Sequence, residues 1–414
     1  MSPLDNFLNK NNLTEKTVIL YSCYYNSEKD FSHVNVNSNF YYITGLNIPN
    51  LLIIYTKNKT HFIYKNTNIW DDNYSILKPI YDLYGRKTVI CYPENVTVLS
   101  KQFSKKILTL DNFSEIALFH QLEHAKIKTQ FLIDTQIITN LANNNRKLKS
   151  KNEISNIIKA TQYTIKGFRN MLTEFKKKKL NTSYKVVNNM KCFWGNSNIF
   201  TMAYNPICTS GNNNSILHSN QYHYKFKLNE LVLVDMACKY NNYCSDITRT
   251  FPVSGKFSSD QKKIYNIVLD INTFAIKTIK PGMNWSNLQN KCLLRLYNSL
   301  EKINLFTKMK RSKDDKIKLG ALLMKHSLGH TIGIDVHDIP VNKFKENMVV
   351  TIEPGIYFDT HLFNNSNINT KELKKYFSIG GIRIEDIILI GQKHAKNLSP
   401  LAKTTNGIEK LMNN

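Results

Sequence analysis

Leu231-Val-Leu-Val-Asp235 decides the fold of the larger part of this chain, because four consecutive apolar residues deliver a carboxylate to the end of a buried strand. Eleven residues further on, Ser245-Asp246-Ile-Thr-Arg-Thr-Phe-Pro252 begins a second strand with a second carboxylate. A two-stranded hairpin of that length sets Asp235 and Asp246 side by side. Two neighbouring buried anions repel, and a proton or a metal ion between them relieves the cost. Asp also caps turns at strand ends, so the pair taken alone leaves both readings open.

Three further segments add to the pair. Lys325-His-Ser-Leu-Gly-His-Thr-Ile-Gly-Ile-Asp-Val-His-Asp338 holds three histidines within twelve residues. His326 and His330 are four apart, as on a zinc-protease helix, but Ser327 stands where the glutamate would be, and Gly329 and Gly333 argue against a regular helix. A loop entering a strand, with imidazoles facing a pocket, fits better. Val349-Val-Thr-Ile-Glu-Pro-Gly-Ile-Tyr357 and Gly380-Gly-Ile-Arg-Ile-Glu-Asp386 each place a glutamate among apolar neighbours, where an unpartnered carboxylate is rare. For Glu385, a salt bridge to Arg383 on the same strand face is the simpler alternative. Four carboxylates and an imidazole form a hard, oxygen-rich set suited to Mn, Co or Zn, and large enough for two ions sharing a water poised as a nucleophile.

The rest of the chain frames this set. At 414 residues and 48.1 kDa, two domains are expected. Strands are expected at Thr17–Ser22, Leu51–Thr56, His61–Tyr64 and Thr88–Tyr92, with a helix over Asp72–Leu83, which makes a small α/β domain. The Asn- and Lys-rich stretch Ala142–Lys151 marks the boundary, giving domains 1–145 and 146–414. Beyond it, Lys151 opens a long amphipathic helix and Ser259–Ile279 a second, ended by Pro281-Gly282. Strands are expected at Leu231–Met236, Asp246–Val253, Met348–Glu353 and Ile382–Ile390, so the second domain is α+β.

The net charge of +25 comes mostly from dispersed lysines without aromatic–basic interleaving, so no nucleic-acid partner is expected. Seven scattered cysteines with no CxxC pair suggest neither a disulfide framework nor a zinc–thiolate site, and free thiols fit a reducing compartment. The opening MSPLDNFLNKNNLTEK has no apolar signal core, and no apolar run is long enough to span a bilayer. A cytoplasmic protein without a membrane partner is the expectation.

Together, Val234-Asp-Met-Ala, Ser245-Asp-Ile-Thr-Arg-Thr-Phe-Pro, His326-Ser-Leu-Gly-His through His337-Asp, Ile352-Glu-Pro-Gly-Ile-Tyr and Gly381-Ile-Arg-Ile-Glu-Asp resemble the Xaa-Pro peptidases among the pita-bread metallopeptidases. The likeness is greatest to the bacterial-type aminopeptidase P branch, and Asn37-Ser-Asn-Phe-Tyr-Tyr-Ile-Thr-Gly-Leu-Asn47 resembles its N-terminal signature. The resemblance implies an aminopeptidase P-type α/β N-terminal domain and a pita-bread (creatinase/aminopeptidase-like) catalytic domain. It implies two divalent ions, manganese first with cobalt or zinc as alternatives, held by Asp235, Asp246, His330, Glu353 and Glu385. Asp246 and Glu385 would bridge the ions, and a hydroxide between them would attack the peptide.

By the same resemblance, Glu353 accepts the proton, His337 stabilises the tetrahedral intermediate, and His218 supports substrate binding. His326, Tyr357 and Arg383 line the proline pocket, and Trp70 resembles a tryptophan reaching a neighbouring subunit in tetrameric relatives. The implied substrates are peptides with proline second, and the implied state is a dimer or tetramer. A dipeptidase (prolidase) or a non-catalytic binding protein of the same fold are the alternatives. Three departures from the family pattern stand out: Met236-Ala237 in place of Ala-Gly, a short link from Asp338 to Glu353 lacking a glycine, and an inserted Asn/Lys-rich loop over Asn364–Lys375.

Overall fold

In the computed structural model, residues 2–22, 36–49, 51–56, 59–64, 73–85, 89–91, 99–111, 114–118, 132–199 and 201–413 are described. Trp70 and Cys23 lie outside them. The chain divides into two compact units, Met1–Arg146 and Lys147–Asn414.

The first unit is built on a mixed sheet of β1 (Thr17–Tyr21), β2 (Leu51–Thr56), β3 (Lys59–Tyr64), β4 (Val89–Cys91), β5 (Lys106–Thr109) and β6 (Leu132–Asp134), in the order β4-β3-β2-β1-β5-β6. Helices among its described residues include α1 (Pro3–Lys10), α2 (Ser38–Thr44), α3 (Asn73–Tyr84) and α4 (Ile137–Arg146). The continuous apolar runs have the expected cause, since both faces of the sheet are covered. Val18, Leu20, Ile53 and Phe62 join one core with Phe7, Phe40 and Ile43, while Ile19, Leu52, Ile54 and Ile63 join another with Leu99 and Ile107. Asn37 opens α2 by accepting from the amides of Asn39 and Phe40, and Gly45 closes it in the left-handed conformation at φ 70°.

The second unit packs α5 (Lys151–Glu174), α6 (Ser183–Gly195), α7 (Ser259–Thr278), α8 (Trp285–Lys302), α9 (Lys313–Leu323), α10 (Thr370–Tyr376) and α11 (Thr405–Asn413) around several small sheets. The strands are β7 (Ile207–Ser210), β8 (Leu231–Asp235), β9 (Lys239–Tyr240), β10 (Tyr243–Cys244), β11 (Thr248–Pro252), β12 (Val349–Ile352), β13 (Gly355–Tyr357), β14 (Gly381–Arg383), β15 (Asp386–Ile390) and β16 (Ala395–Asn397). Helices α5 and α7 start in capping boxes, Ser150 with Glu153 and Ser258 with Gln261. Strand β8 is the centre of the sheet β11-β8-β7, and all five of its residues are buried. No helix among the described residues is long and apolar enough to cross a membrane.

Four expectations need correction. Ile382–Ile390 is two strands, β14 and β15, because the chain breaks step at Ile384-Glu385. The opposing chain breaks at Glu353-Pro354, between β12 and β13, and proline cannot donate to a ladder. Asp235 stands opposite Thr248 rather than Asp246, which precedes β11 by two residues. The histidine segment 326–338 enters no strand and holds a single bridge, Thr331 to Val350. The Asn/Lys-rich segment 364–375 is largely helical: Asn369 caps α10 by accepting from the Glu372 amide.

Gly380 turns the chain into β14 at φ 68°, and a Cβ there would overlap the carbonyl oxygen of Gly211. Gly380→Ala combines left-handed strain with a backbone clash and is expected to cost at least about 2 kcal/mol. A fall in urea midpoint of the purified variant checks this, and an unchanged midpoint contradicts it.

Candidate metal centre

The two chain breaks build the site. With β12 and β15 paired on one side and β13 and β14 on the other, Glu353 and Glu385 sit at the same interruption of the ladder. Their amides turn elsewhere. Glu353 N–H donates to the carbonyl of Leu328 (2.8 Å), and Glu385 N–H to that of Thr248 (3.1 Å). Each glutamate is thereby stitched to a segment carrying another carboxylate or imidazole: the histidine loop in one case, β11 with Asp246 just before it in the other.

The histidine loop is held equally closely. His330 N–H donates to Thr351 Oγ1 (2.9 Å), the Thr351 amide donates to the His330 carbonyl (2.8 Å), and Thr351 Oγ1 donates to Glu353 Oε1 (3.1 Å). Gly329 permits this approach, since a Cβ there would overlap the Thr351 carbonyl oxygen. His330 Nε2 then lies 3.3 Å from Glu353 and 3.4 Å from Asp246. Asp246, His330 and Glu385 each bring one ligand atom within 4.8 Å of the others, the separation a metal ion spans.

A cavity of ≈ 520 Å³ gathers the sequence-expected residues in its walls: Asp235, Asp246, His330, Glu353 and Glu385, together with His218, His326, His337 and Arg383. Arg383 does not pair with Glu385. Its Nη2 donates to Asp235 (2.8 Å), Nη1 to Tyr357 Oη (2.9 Å) and Nε to Thr248 Oγ1 (3.2 Å), while Thr248 Oγ1 donates to Glu385 (2.7 Å). Tyr357 Oη also meets His326 Nε2 at 2.7 Å, so His326, Tyr357 and Arg383 form one chain. His337 sits edge-on to His330 with ring centroids 4.2 Å apart. His218 is exposed at the rim.

Sequence reasoning missed Tyr204, Thr248 and Thr351. The Tyr204 hydroxyl lies 2.5 Å from Asp235 Oδ1 and 2.6 Å from Asp246 Oδ1, with one proton between two carboxylates. It is one of 22 tyrosines, in a segment without periodicity, and nothing in its spacing could have singled it out.

The electrostatics favour a bound cation. Burial, then the charges of Asp246, Glu353 and Asp235, drive Glu385 well above the usual carboxylate range. Burial likewise lifts Glu353 to about 7, with Asp246 adding to it and His330 opposing. Burial raises Asp235 against the pull of Arg383. For His330, burial opposes the charge, but the hydrogen bond to Asp246 and the charges of Glu353 and Asp246 win, lifting it to about 9. Burial and Arg383 lower His326 to about 4, and burial and His330 lower His337. Four carboxylates face one guanidinium and the His330 imidazole, an excess of acidic groups that a divalent ion corrects.

Residues 155–392 match metallopeptidase family M24, and the chain belongs to that family. It is 33% identical over 243 residues to an uncharacterized peptidase of Saccharomyces cerevisiae, covering 51% of this chain and 45% of the relative. It is 35% identical over 242 residues to a probable Xaa-Pro aminopeptidase of Fusarium vanettenii, covering 51% of each. In these alignments the chain spans about half the length of the relatives it matches. The fold is that of aminopeptidase P from Escherichia coli, solved with the inhibitor Pro-Leu, at a TM-score of 0.81 and 22% identity, covering 100% of this chain and 98% of that one.

The raised groups predict a pH dependence for the metal-free protein. Glu353, raised from 4.5 to about 7, and His330, raised from 6.5 to about 9, favour their protonated forms in the fold. Their contributions are therefore full below 4.5 and 6.5 and are lost as pH rises through 7 and 9. In EDTA, the melting temperature is expected to fall between about pH 5 and pH 9, and excess Mn²⁺ to restore it at the alkaline end only. A melting temperature flat across this range, or insensitive to Mn²⁺, contradicts this electrostatic account.

Proposed function

We propose that this chain is an Xaa-Pro aminopeptidase using two divalent ions, manganese first, and releasing the first residue of peptides whose second residue is proline. The observation that carries the reading is the convergence of Asp235, Asp246, His330, Glu353 and Glu385 with His218, His326, His337 and Arg383 on one cavity. Asp235 would chelate one ion, Asp246 and Glu385 both, and His330 and Glu353 the other. Bound there, such ions supply Lewis acidity to the scissile carbonyl and acidify water near neutral pH.

The chain's own residues supply the rest. Glu353, steadied by Thr351, is the proton acceptor. His337, on the exposed side of its loop beside His330, donates a hydrogen bond to the carbonyl oxygen as charge develops. His218 contacts the substrate from the rim. Proline has no amide N–H and a fixed backbone angle, so its ring needs a shaped wall rather than an acceptor. His326 and Arg383 supply that wall, held from behind by the buried Tyr357 hydroxyl.

Arg383 also favours an aminopeptidase over a dipeptidase. A free Xaa-Pro dipeptide carries a carboxylate on its proline and needs a cation to meet it. Arg383 is the one Lys or Arg among the described residues lining the cavity, and each of its three nitrogens already serves Asp235, Tyr357 or Thr248. A peptide continuing past the proline presents no such charge. The free thiols of Cys192, Cys208, Cys238, Cys244 and Cys292 support the cytoplasm as the place of work.

With added Mn²⁺, the purified protein is expected to cleave an Xaa-Pro-Yaa tripeptide before the proline, with kcat/KM at least about tenfold above that for the Xaa-Pro dipeptide. Asp246→Asn and His330→Ala should each lower it on the order of 10³-fold. Full metal occupancy without cleavage of any proline peptide would sink the reading.

A further inference from the structure

Asp338 follows the exposed His337 but points the other way, into the protein. Its Oδ2 accepts from Lys149 Nζ at 2.7 Å, and the two side chains are 1% and 2% exposed. A buried ion pair is weak evidence for stability in its own right, because desolvation cancels much of the attraction, and its best-attested use is to specify one geometry. This pair links two elements far apart in sequence. Lys149 precedes α5 and is fixed by its own amide donating to the Asn347 carbonyl (2.9 Å). Asp338 ends the loop that begins at Thr331.

That loop has its own closing bonds. The Asp338 amide donates to the Thr331 carbonyl (2.9 Å), the Gly333 amide to that of Asp335 (3.0 Å), and Thr331 Oγ1 to that of Ile339 (2.9 Å). The Cys244 amide ties Gly333 down from outside (2.7 Å). Gly333 leaves room for the ion pair, since a Cβ there would overlap Asp338 Oδ2 and come within 2.9 Å of Lys149 Cε. The loop is also joined to the body at its far side, where Ile332 N–H donates to the Val349 carbonyl (3.1 Å) and the Ile334 carbonyl accepts from Cys244 Sγ (3.1 Å) and Lys239 Nζ (3.4 Å). The Lys149–Asp338 pair is its attachment next to His337.

We propose that Lys149 and Asp338 are positioning residues, a buried ionic anchor that fixes the loop presenting His337 to the cavity. The use of His337 rests on the aminopeptidase reading, whereas the anchoring of the loop does not. A displacement of about 1 Å at a reacting group costs on the order of 10²-fold in rate, so a loosened loop acts on turnover. Glu353, Glu385 and the His330 backbone are held by bonds to Leu328, Thr248 and Thr351 outside the pair, while His330 Nδ1 meets the Thr331 carbonyl (3.1 Å) that also accepts from the Asp338 amide.

Three variants test this: Lys149→Met, Lys149→Arg, and the charge-free double variant K149M/D338N, which leaves no lone buried charge. Each is measured for bound metal, for kcat and KM on an Xaa-Pro-Yaa tripeptide, and for amide hydrogen exchange by peptide mass spectrometry. In the double variant, exchange should rise at least tenfold at Gly333 and Asp338 and stay within twofold at Thr351 and Glu353. Bound metal should be unchanged, kcat should fall at least tenfold, and KM should stay within about twofold. Lys149→Arg should recover most of kcat.

Unchanged exchange at Gly333 and Asp338 overturns the anchor, and so does a wild-type kcat in a double variant that has kept its metal. If the wild-type protein cleaves no proline peptide, the aminopeptidase reading fails, and the exchange data alone decide the anchor.

Discussion

Two strand pairs, β12 with β15 and β13 with β14, would form one continuous ladder if the chain did not break step at Glu353-Pro354 and Ile384-Glu385. Glu353 and Glu385 stand opposite one another at that interruption. The Ile390 amide on the Met348 carbonyl and the Ile384 amide on the Pro354 carbonyl place Glu353 and Glu385 at a non-hydrogen-bonded position of this pairing, so their amides face away from each other's strand. Facing outward, the amides bond to Leu328 and Thr248, and the histidine loop and β11 lie against the two strands. The cost is a concentration of buried anions, Glu385 at 1% exposure, Asp246 at 5% and Asp235 at 8%, with a single guanidinium among them. Such a cluster is tolerable when protons or cations balance it, and this ties the fold to metal chemistry.

The surroundings hold that cluster rigidly. Behind Glu385, Arg249 is fully buried, and its Nη1 donates to the Glu385 carbonyl (2.6 Å) while its Nη2 donates to Asp386 (2.7 Å). Lys403 approaches the other oxygen of Asp386 at 2.5 Å and Asn272 at 2.7 Å. Asp386 therefore stays below the usual carboxylate range in spite of burial, because Arg249 and Lys403 outweigh desolvation. The contrast with adjacent Glu385 is instructive. Asp386 has permanent cations and is structural, whereas the Glu385 carboxylate accepts from the Thr248 hydroxyl and is left able to bind an ion. Lys325, next to His326, pairs with Asp359, two residues beyond Tyr357.

Apolar neighbours single out Asp235, Glu353 and Glu385 as carboxylates in need of a partner, but the candidate ligand set as a whole is legible only in the joint order of the motifs, through the family resemblance. Strand β8 and the helices at Lys151 and Ser259 were legible through periodicity and capping residues. What the chain hid was register. Asp235 and Asp246 were expected side by side, but they meet through Tyr204, because Asp246 lies before β11 rather than in it. Spacing makes Arg383 a partner for Glu385 two residues away, but the break at Ile384 turns it to Asp235. Tyr204, Thr248 and Thr351 act through single hydroxyls, which leave no pattern in a sequence.

The central claim is that the interrupted ladder gathers four carboxylates and an imidazole to hold two divalent ions. An anomalous-difference map at the manganese edge, from crystals grown in Mn²⁺, tests it directly. The account predicts two peaks, one in contact with Asp235 and the other with His330 and Glu353, both touching Asp246 and Glu385. A fully occupied single peak, or manganese bound elsewhere with these side chains left as they stand, would contradict it.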